Sequence, residues 1–214
     1  MSGSDLILPP HGGYRKLRSF VVALAAYDGT VIFCDRFVDL RSRTHDQMVQ
    51  AARSGPQNIA EGSVASATSK KTELKLTGVA RASLGELIRD YEDYLTQHGL
   101  QVWEKDSERV RLMRARLAGK LKPDVAQPQP PVVKGRECYD EPLRAALAAI
   151  RKGSSEVCAN ILLCLAHQAS YLLRRQLERL ERDFLEQGGI TERLYRCRKE
   201  HRDNTKKRDP ERPE

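Results

Sequence analysis

The sequence predicts an all-α protein, a bundle of long amphipathic helices, from three observations. Apolar residues recur at three- and four-residue steps in four long segments, a spacing that places them on one face of a helix. No segment alternates apolar and polar residues as a half-buried strand does. Hydrophobic residues make up 40% of the 214-residue chain, which is enough to bury a core when they are well spaced.

The first helix is predicted from about Tyr14 to about Leu40, with one broad apolar face. Within it, Asp28 and Gly29 lower the helix propensity but leave the apolar period intact, so we predict one continuous helix. Residues 1–13 precede this helix and are rich in proline and glycine. We expect them to form a disordered leader.

The second and third helices are delimited by capping residues. Thr44 followed by Gln47 is a capping-box pattern and predicts the start of the second helix. Thr68 or Ser69 is predicted to cap the third helix, which ends at Gly99.

The segment 54–62, S-G-P-Q-N-I-A-E-G, is the most distinctive local sequence. Pro56 lacks a backbone donor, and we expect it to kink or restart the second helix, which can stop at Gly62. Asn58 and Glu61 lie three residues apart on one face, where they can bond backbone groups around the proline. We interpret these four residues as a structural motif, with a ligand or partner site as the alternative.

The chain after the third helix is predicted to be less regular. A short basic helix and a proline-rich linker come first. A last long helix is capped by Ser154 or Ser155 and terminated by Gly188-Gly189. The predicted segments are 14–100 with the first three helices, 101–136 with the basic connector and linker, 137–189 with the last long helix, and 190–214 as a basic tail.

The net charge of +8, from 37 Lys and Arg against 29 Asp and Glu, is concentrated in two segments. Residues 101–136 carry nine basic and four acidic side chains, and residues 190–214 carry nine and six. The segments 1–100 and 137–189 are nearly neutral, at +1 and −1. We therefore expect a polyanionic partner to contact parts that are joined to the main helices.

Three groups of basic side chains are candidate contacts for nucleic acid. The two lysines that begin the third helix face the positive end of its dipole, so local stability does not explain them. For these lysines, the alternative interpretation is that they only keep the surface soluble. The arginine-rich groups can neutralise phosphates with little sequence specificity. The candidates are Lys70, Lys71 and Lys75 in the third helix, Arg109, Arg111, Arg114 and Arg116 in the connector, and Arg193, Arg196, Arg198, Lys199 and Arg202 in the tail.

The common sequence signatures of catalysis are absent. No phosphate-binding glycine loop, H-E-x-x-H pair or nucleophile elbow occurs. None of the five histidines has a carboxylate three residues before it, which disfavours a di-iron site. His167 lies among apolar residues and is interpreted as a hydrogen-bonded core histidine. We therefore predict no catalytic residue, no metal and no cofactor.

The remaining polar and reactive residues have structural interpretations. The five scattered cysteines are interpreted as reduced packing residues. No run of about 18 apolar residues and no N-terminal signal pattern occurs, so we expect a cytoplasmic protein without membrane contact. Two carboxylate sets are interpreted as solvated or intersubunit charged faces. These sets are Asp28, Asp35 and Asp39, and Glu86, Asp90 and Asp93.

Three motifs in succession carry a resemblance to a known superfamily. They are the 54–62 segment, S-K-K-T-E-L at 69–74 and A-R-A-S-L-G-E-L at 80–87. Together they resemble the signature of four-helix-bundle proteins encoded within intervening sequences of 23S ribosomal RNA. The same superfamily includes the accessory variability proteins of diversity-generating retroelements. Residues 158–189, with the following I-T-E-R-L, resemble a suffix region found on a subset of these bundle proteins.

The resemblance implies an antiparallel four-helix protomer that assembles into a ring, typically a homopentamer, without catalytic residues. For the retroelement relatives it also implies binding of nucleic acid and a reverse transcriptase through a basic surface. The fourth bundle helix would then be residues 155–186, supplied after the proline-rich insertion. The resulting hypothesis is a non-enzymatic oligomeric adaptor that binds RNA or DNA, and the alternative is a scaffold that binds only proteins.

Overall fold

The structure is a computed structural model that describes residues 12–121, 131–132 and 134–208. Within these residues it contains helices and no strand, which confirms the predicted all-α fold. Most of the predicted leader, the centre of the proline-rich linker and the end of the predicted tail lie outside the described residues. The described α-helices are α1 (Arg18–Phe37), α2 (Arg43–Ala65), α3 (Lys70–Gln97), α4 (Glu108–Leu117), α5 (Glu141–Lys152), α6 (Ser155–Gln187) and α7 (Ile190–Arg208).

Helix α1 is shorter than predicted and is buried on more than one face. A 3-10 turn at Gly13–Lys16 precedes it, and the extended backbone of Leu17 separates the two elements. The predicted continuous helix to Leu40 is therefore wrong at both ends, since α1 ends at Phe37. Because α1 packs against α2, α5 and α6, it also buries Phe33, which lies outside the predicted apolar face.

Four long helices make the main contacts of the core. α1 packs against α2, α2 against α3, α3 against α6, and α6 against α1, while α4 and α5 lie over the first part of α6. Between α1 and α3, the Tyr91 hydroxyl donates to Thr30 Oγ1 at 2.8 Å, and Thr30 donates to the Ala26 carbonyl at 2.7 Å. This chain of bonds satisfies the hydroxyl groups of Tyr91 and Thr30, both of which are fully buried.

Helix α2 is continuous through Pro56, and its boundaries differ from the prediction. Its N-cap is Ser42, whose hydroxyl accepts from the backbone N–H of Thr44 at 3.1 Å, so the predicted start at Thr44 is wrong. The predicted restart at Pro56 and the stop at Gly62 are also wrong, because the helix runs without interruption to Ala65. Pro56 lies inside this helix and is buried.

The polar residues beside the proline bond within α2. Asn58 Nδ2 donates to the Ser54 carbonyl at 2.8 Å, which is the kind of backbone bond the sequence suggests. Glu61 instead accepts from Gln57 Nε2 at 2.8 Å, so it bonds a side chain and not the backbone. Gly62 is buried against α3.

The segment before α5 is anchored to α1 by one carboxylate. Arg136 donates to both oxygens of Asp28, at 2.6 and 2.9 Å, and the Tyr139 hydroxyl donates to Asp28 Oδ2 at 2.8 Å. Asp28 is therefore a half-buried anchor, and its assignment to a solvated face is wrong. The other members of that set, Asp35 and Asp39, are exposed.

The predicted caps of the two longest helices are confirmed. Ser69 Oγ accepts from the backbone N–H of Thr72 at 3.1 Å at the start of α3. Ser154 Oγ accepts from the backbone N–H of Val157 at 3.4 Å at the start of α6. Both bonds satisfy donors that have no partner within the helix.

One stretch of the described chain passes a simple test for a membrane span. Within Ser155–Asn204, an 18-residue window is long and apolar enough, with a mean hydropathy of 1.2. In the folded chain 61% of that window is buried. Because the core helix of a soluble protein passes the same test, this stretch is only weak evidence for a membrane span.

Candidate nucleic-acid interface

Helix α7 follows α6 after two glycines and is strongly basic. Gly188 ends α6 with a positive φ of 72°, a conformation that glycine adopts without strain. Glu192 accepts from the Gly189 backbone N–H at 2.9 Å at the start of α7. Over Ile190–Arg208 the helix carries eight basic and three acidic residues. The predicted basic tail is thus helical as far as Arg208.

A basic cleft of about 300 Å³ lies between the α2–α3 turn and the start of α7. Its basic side chains come from segments that are distant in sequence: Lys70 from the first turn of α3, and Arg193 and Arg196 from α7. Glu200 is the acidic residue among the described lining residues. The complete lining is Ser66, Ala67, Thr68, Ser69, Lys70, Gly188, Gly189, Ile190, Arg193, Arg196, Cys197 and Glu200.

The three lysines predicted on α3 do not act as one group. Lys70 lines the basic cleft, and its Nζ lies 3.1 Å from Glu73 Oε2. Lys71 and Lys75 are exposed and lie outside the lining of the cleft. Because they are four residues apart, they share one face of α3. The structure therefore places Lys70 alone of the three beside α7.

The basic residues of α7 divide between two faces. Arg193 and Arg196 line the basic cleft together with Cys197 and Glu200. The opposite face, here called the outer face, presents an aromatic ring and three cations at positions i, i+3, i+4 and i+7. All four are exposed: Tyr195, Arg198, Lys199 and Arg202.

The connector arginines form a separate basic surface on α4. Helix α4 packs on the core through the buried residues Val110 and Leu117, and its four arginines are exposed. The guanidinium of Arg109 lies 5.6 Å from the centroid of the Trp103 ring, so this arginine is partly engaged in packing. The remaining three members of this exposed group are Arg111, Arg114 and Arg116.

The connector and tail groups lie at different places along α6. Gln168 Nε2 donates to the Leu117 carbonyl at 3.3 Å, which fixes the end of α4 beside the middle of α6. The rise of about 1.5 Å per residue then places Gly188, at the far end of α6, roughly 30 Å away. The structure brings Lys70 together with the α7 arginines but does not bring the α4 arginines to the same site.

Sequence reasoning missed two residues of importance. Tyr195 is one of them, although its spacing of three and seven residues from Arg198 and Arg202 can be read from the sequence. Asn160 is 2% exposed within an apolar stretch of α6. Its side chain accepts from the Trp103 backbone N–H and donates to the Gln101 carbonyl, both at 2.8 Å, which ties the connector to α6.

His167 lies on an exposed side of α6, so its interpretation as a core histidine is wrong. Its sequence neighbours face the core, but each residue of a helix turns by about 100° from the last. Partial burial of the ring lowers the pKa of His167 below its usual range. The carboxylate of Glu92 opposes this shift, and the cationic groups of Arg114 and Lys105 add to it.

A second, acidic cleft of about 700 Å³ lies between α2 and α3. Its charged lining residues are Asp46, Glu86, Asp90 and Arg43. Burial raises the pKa of Asp90, and the neighbouring charges of Asp93 and Glu86 raise it further. This carboxylate is therefore not simply solvated, and the cleft repels phosphate instead of attracting it.

The cysteines are free, and three of them are buried in the core. Burial raises the pKa of Cys34 to about 12 and that of Cys164 to about 11, so these thiols stay protonated at neutral pH. Cys158 is the third buried thiol. Within the described part of the chain, no group of three or more His, Cys, Asp or Glu is placed to hold a metal ion.

Comparisons with protein-family models, with curated proteins and with solved structures found no match to this chain.

Proposed function

We propose that this protein is a non-enzymatic adaptor that binds nucleic acid through α7 and the adjoining basic cleft. The observation that carries the proposal is the convergence of Lys70 with Arg193 and Arg196, since the first lies near the start of α3 and the others lie in the last helix. Folding thereby gathers cations from distant segments into one concave surface. A polyanion with regularly spaced phosphates is the natural partner for such a surface.

The ion pair between Lys70 and Glu73 does not prevent phosphate binding. The Lys70 side chain is 34% exposed, and its ammonium has three donors, of which the bond to Glu73 uses one. A phosphate can therefore accept from Lys70 while the pair with Glu73 stays formed. Glu200 reduces the positive potential of the cleft, so we assign part of the affinity to the outer face of α7.

We further propose that α1, α2, α3 and α6 form an antiparallel four-helix bundle, as the superfamily resemblance implies. Contacts between helix ends support this arrangement. The backbone N–H of Gly12, before α1, donates to the Ser63 carbonyl near the end of α2 at 3.2 Å. At the other end, Asn160 near the start of α6 bonds Gln101, which follows α3.

Within this proposal the adaptor belongs to the superfamily of retroelement accessory and ribosomal intervening-sequence proteins. It forms a cytoplasmic homo-oligomer, a pentamer on the pattern of the resemblance, and presents nucleic acid to a reverse transcriptase or another mobile-element protein. Mass photometry tests the assembly directly, and a monomer at micromolar concentration would contradict it.

A second candidate function is a scaffold that binds only protein partners. It is favoured by the exposed apolar side chains at the end of α6, where Leu185 is 82% exposed and Phe184 is 37% exposed. Exposed apolar groups of this kind are typical of surfaces that contact other proteins.

Filter binding against single- and double-stranded RNA and DNA over a salt series distinguishes the two functions. In the triple variant Lys70→Ala, Arg193→Ala, Arg196→Ala, the decrease of log K with log salt should become less steep by about 2 to 3. A control with the same loss of charge at the opposite end of α6 should change the slope little: Arg41→Ala, Arg151→Ala, Lys152→Ala. If the unmodified protein retains none of the four nucleic acids at low salt, nucleic-acid binding is wrong and the scaffold function remains.

A further inference from the structure

We propose that the outer face of α7 binds unpaired bases of single-stranded nucleic acid, with Tyr195 stacking on a base. On the same face, Arg198, Lys199 and Arg202 contact the adjoining phosphates. The inference rests on the proposed function and adds the class of nucleic acid that it selects.

Tyr195 is unusual for its surroundings. Its side chain is 64% exposed on a helix whose other exposed residues are mostly charged. Among the described side chains, no aromatic ring or guanidinium stacks on the Tyr195 ring. An accessible ring face of this kind is the element that binds bases by stacking.

The three cations lie at the right positions around this ring. Residues three, four and seven apart on a helix are neighbours on one face, so Arg198, Lys199 and Arg202 flank or follow Tyr195 along the axis. Two of the three acidic residues of α7 are engaged at other places. Glu200 lines the basic cleft, and the Glu192 carboxylate accepts from the backbone at the start of the helix.

The third acidic residue borders this face on one side, since Asp203 lies four residues after Lys199 and is its neighbour on the helix. Arg198 and Arg202 have no carboxylate three or four residues away. The outer face therefore combines one stacking platform with two cations that no acidic neighbour offsets, and with Lys199 at its edge. Groups that bind single strands without sequence preference have this composition.

A duplex cannot use the ring in the same way. Its bases are stacked on one another, so Tyr195 would meet only the backbone and groove edges, and binding would rest on the phosphates alone. A single strand offers both its phosphates and its base faces. The combination on α7 consequently favours unpaired over paired nucleic acid.

A second exposed tyrosine provides a matched control. Tyr171 on α6 is 50% exposed, but the Arg174 guanidinium lies over its ring, 5.5 Å from the centroid. Arg175 Nη1 also donates to the Tyr171 hydroxyl at 3.5 Å. Both arginines pair in turn with Glu178, so this ring is already covered and its cations are partly neutralised.

Fluorescence anisotropy of the full chain with short labelled oligouridine and oligothymidine, and with the matching duplexes, tests the proposal. Tyr195→Ala should weaken single-strand binding by about 5- to 150-fold and duplex binding by less than about twofold. Tyr195→Phe, which keeps the ring, should retain the affinity, and Tyr171→Ala should leave it unchanged. The slope of log K against log salt should be unchanged in Tyr195→Ala, because no charge is lost. In the triple variant Arg198→Gln, Lys199→Gln, Arg202→Gln, this slope should become less steep by about 2.

Two results would count against the account in different ways. Suppose that the unmodified protein binds single strands and duplexes. If Tyr195→Ala binds both as tightly as the unmodified protein does, or weakens both by the same factor, the stacking proposal is wrong while nucleic-acid binding stands. If the unmodified protein binds no oligonucleotide at low salt, the proposed function itself is wrong. Because the Tyr195 side chain is largely exposed, these variants remove little packing, and far-UV circular dichroism verifies that the helices persist.

Discussion

The two halves of α6 differ in what surrounds them. In the first half, all nine residues from Cys158 to Ala166 are buried, because α4 and α5 cover the helix in addition to α1 and α3. In the second half, from Arg174 to Glu186, no residue is buried. The comparison separates a core half that determines the fold from a projecting half that carries α7 and the basic cleft.

The largest difference should come from truncating a leucine in each half. Leu162→Ala should lower the free energy of unfolding by about 2–5 kcal/mol, since its side chain is fully buried and leaves a cavity. Leu185→Ala, in the projecting half, should change it by less than about 0.5 kcal/mol. Urea unfolding followed by circular dichroism measures both. Equal losses would mean that the two halves are packed alike.

A smaller effect is expected where α1 meets the core half of α6. A Cβ at Gly29 would lie 2.7 Å from Leu162 Cδ2 and 3.1 Å from Ile150 Cδ1, so Gly29→Ala should destabilise by about 1–3 kcal/mol. In Gly85→Ala nothing lies within 4 Å of the added Cβ. That control should stabilise by about 0.5–1 kcal/mol through helix propensity. A neutral Gly29→Ala would show that this contact is looser than the structure indicates.

The smallest effect concerns pH and the acidic cleft, remote from α7. Folding raises the pKa of Asp90, chiefly by burial, so its ionised form destabilises the folded protein at neutral pH. Asp90→Asn should therefore raise Tm slightly at pH 7. The gain should disappear below about pH 4, where the carboxyl is protonated in the unfolded chain as well. Asp46→Asn removes the same charge from an exposed position of this cleft in the first turn of α2, where an acidic side chain favours the helix dipole, so it should give no gain.

Local signals predicted much of the fold. The apolar period gave the helix class, and the hydroxyls of Ser69 and Ser154 marked two helix starts, because a cap and its partner lie within a few residues. The same local logic failed at Pro56, which is buried inside a helix that continues to Ala65. It failed again in α1, since three neighbours bury it on several faces, and periodicity assumes one.

The candidate site depended on contacts that no local pattern contains. The tail arginines were recognised as basic, but their position beside Lys70 requires the full course of the chain between α3 and α7. In the same way, the partnership of Asp28 with Arg136 joins residues on α1 and before α5. The outer face of α7 was the exception, because the spacing of Tyr195 and its cations could be read from the sequence.

The most direct test of this division is removal of residues 190–214, which deletes α7 and leaves the core half intact. Thermal unfolding and a salt-dependent oligonucleotide titration are measured on the truncated and full chains together. We predict an unchanged helical core with a closely similar Tm, and single-strand binding weakened by at least about tenfold through loss of phosphate contacts. Binding by the truncated chain as tight as that of the full chain would contradict the assignment of nucleic-acid binding to the projecting half.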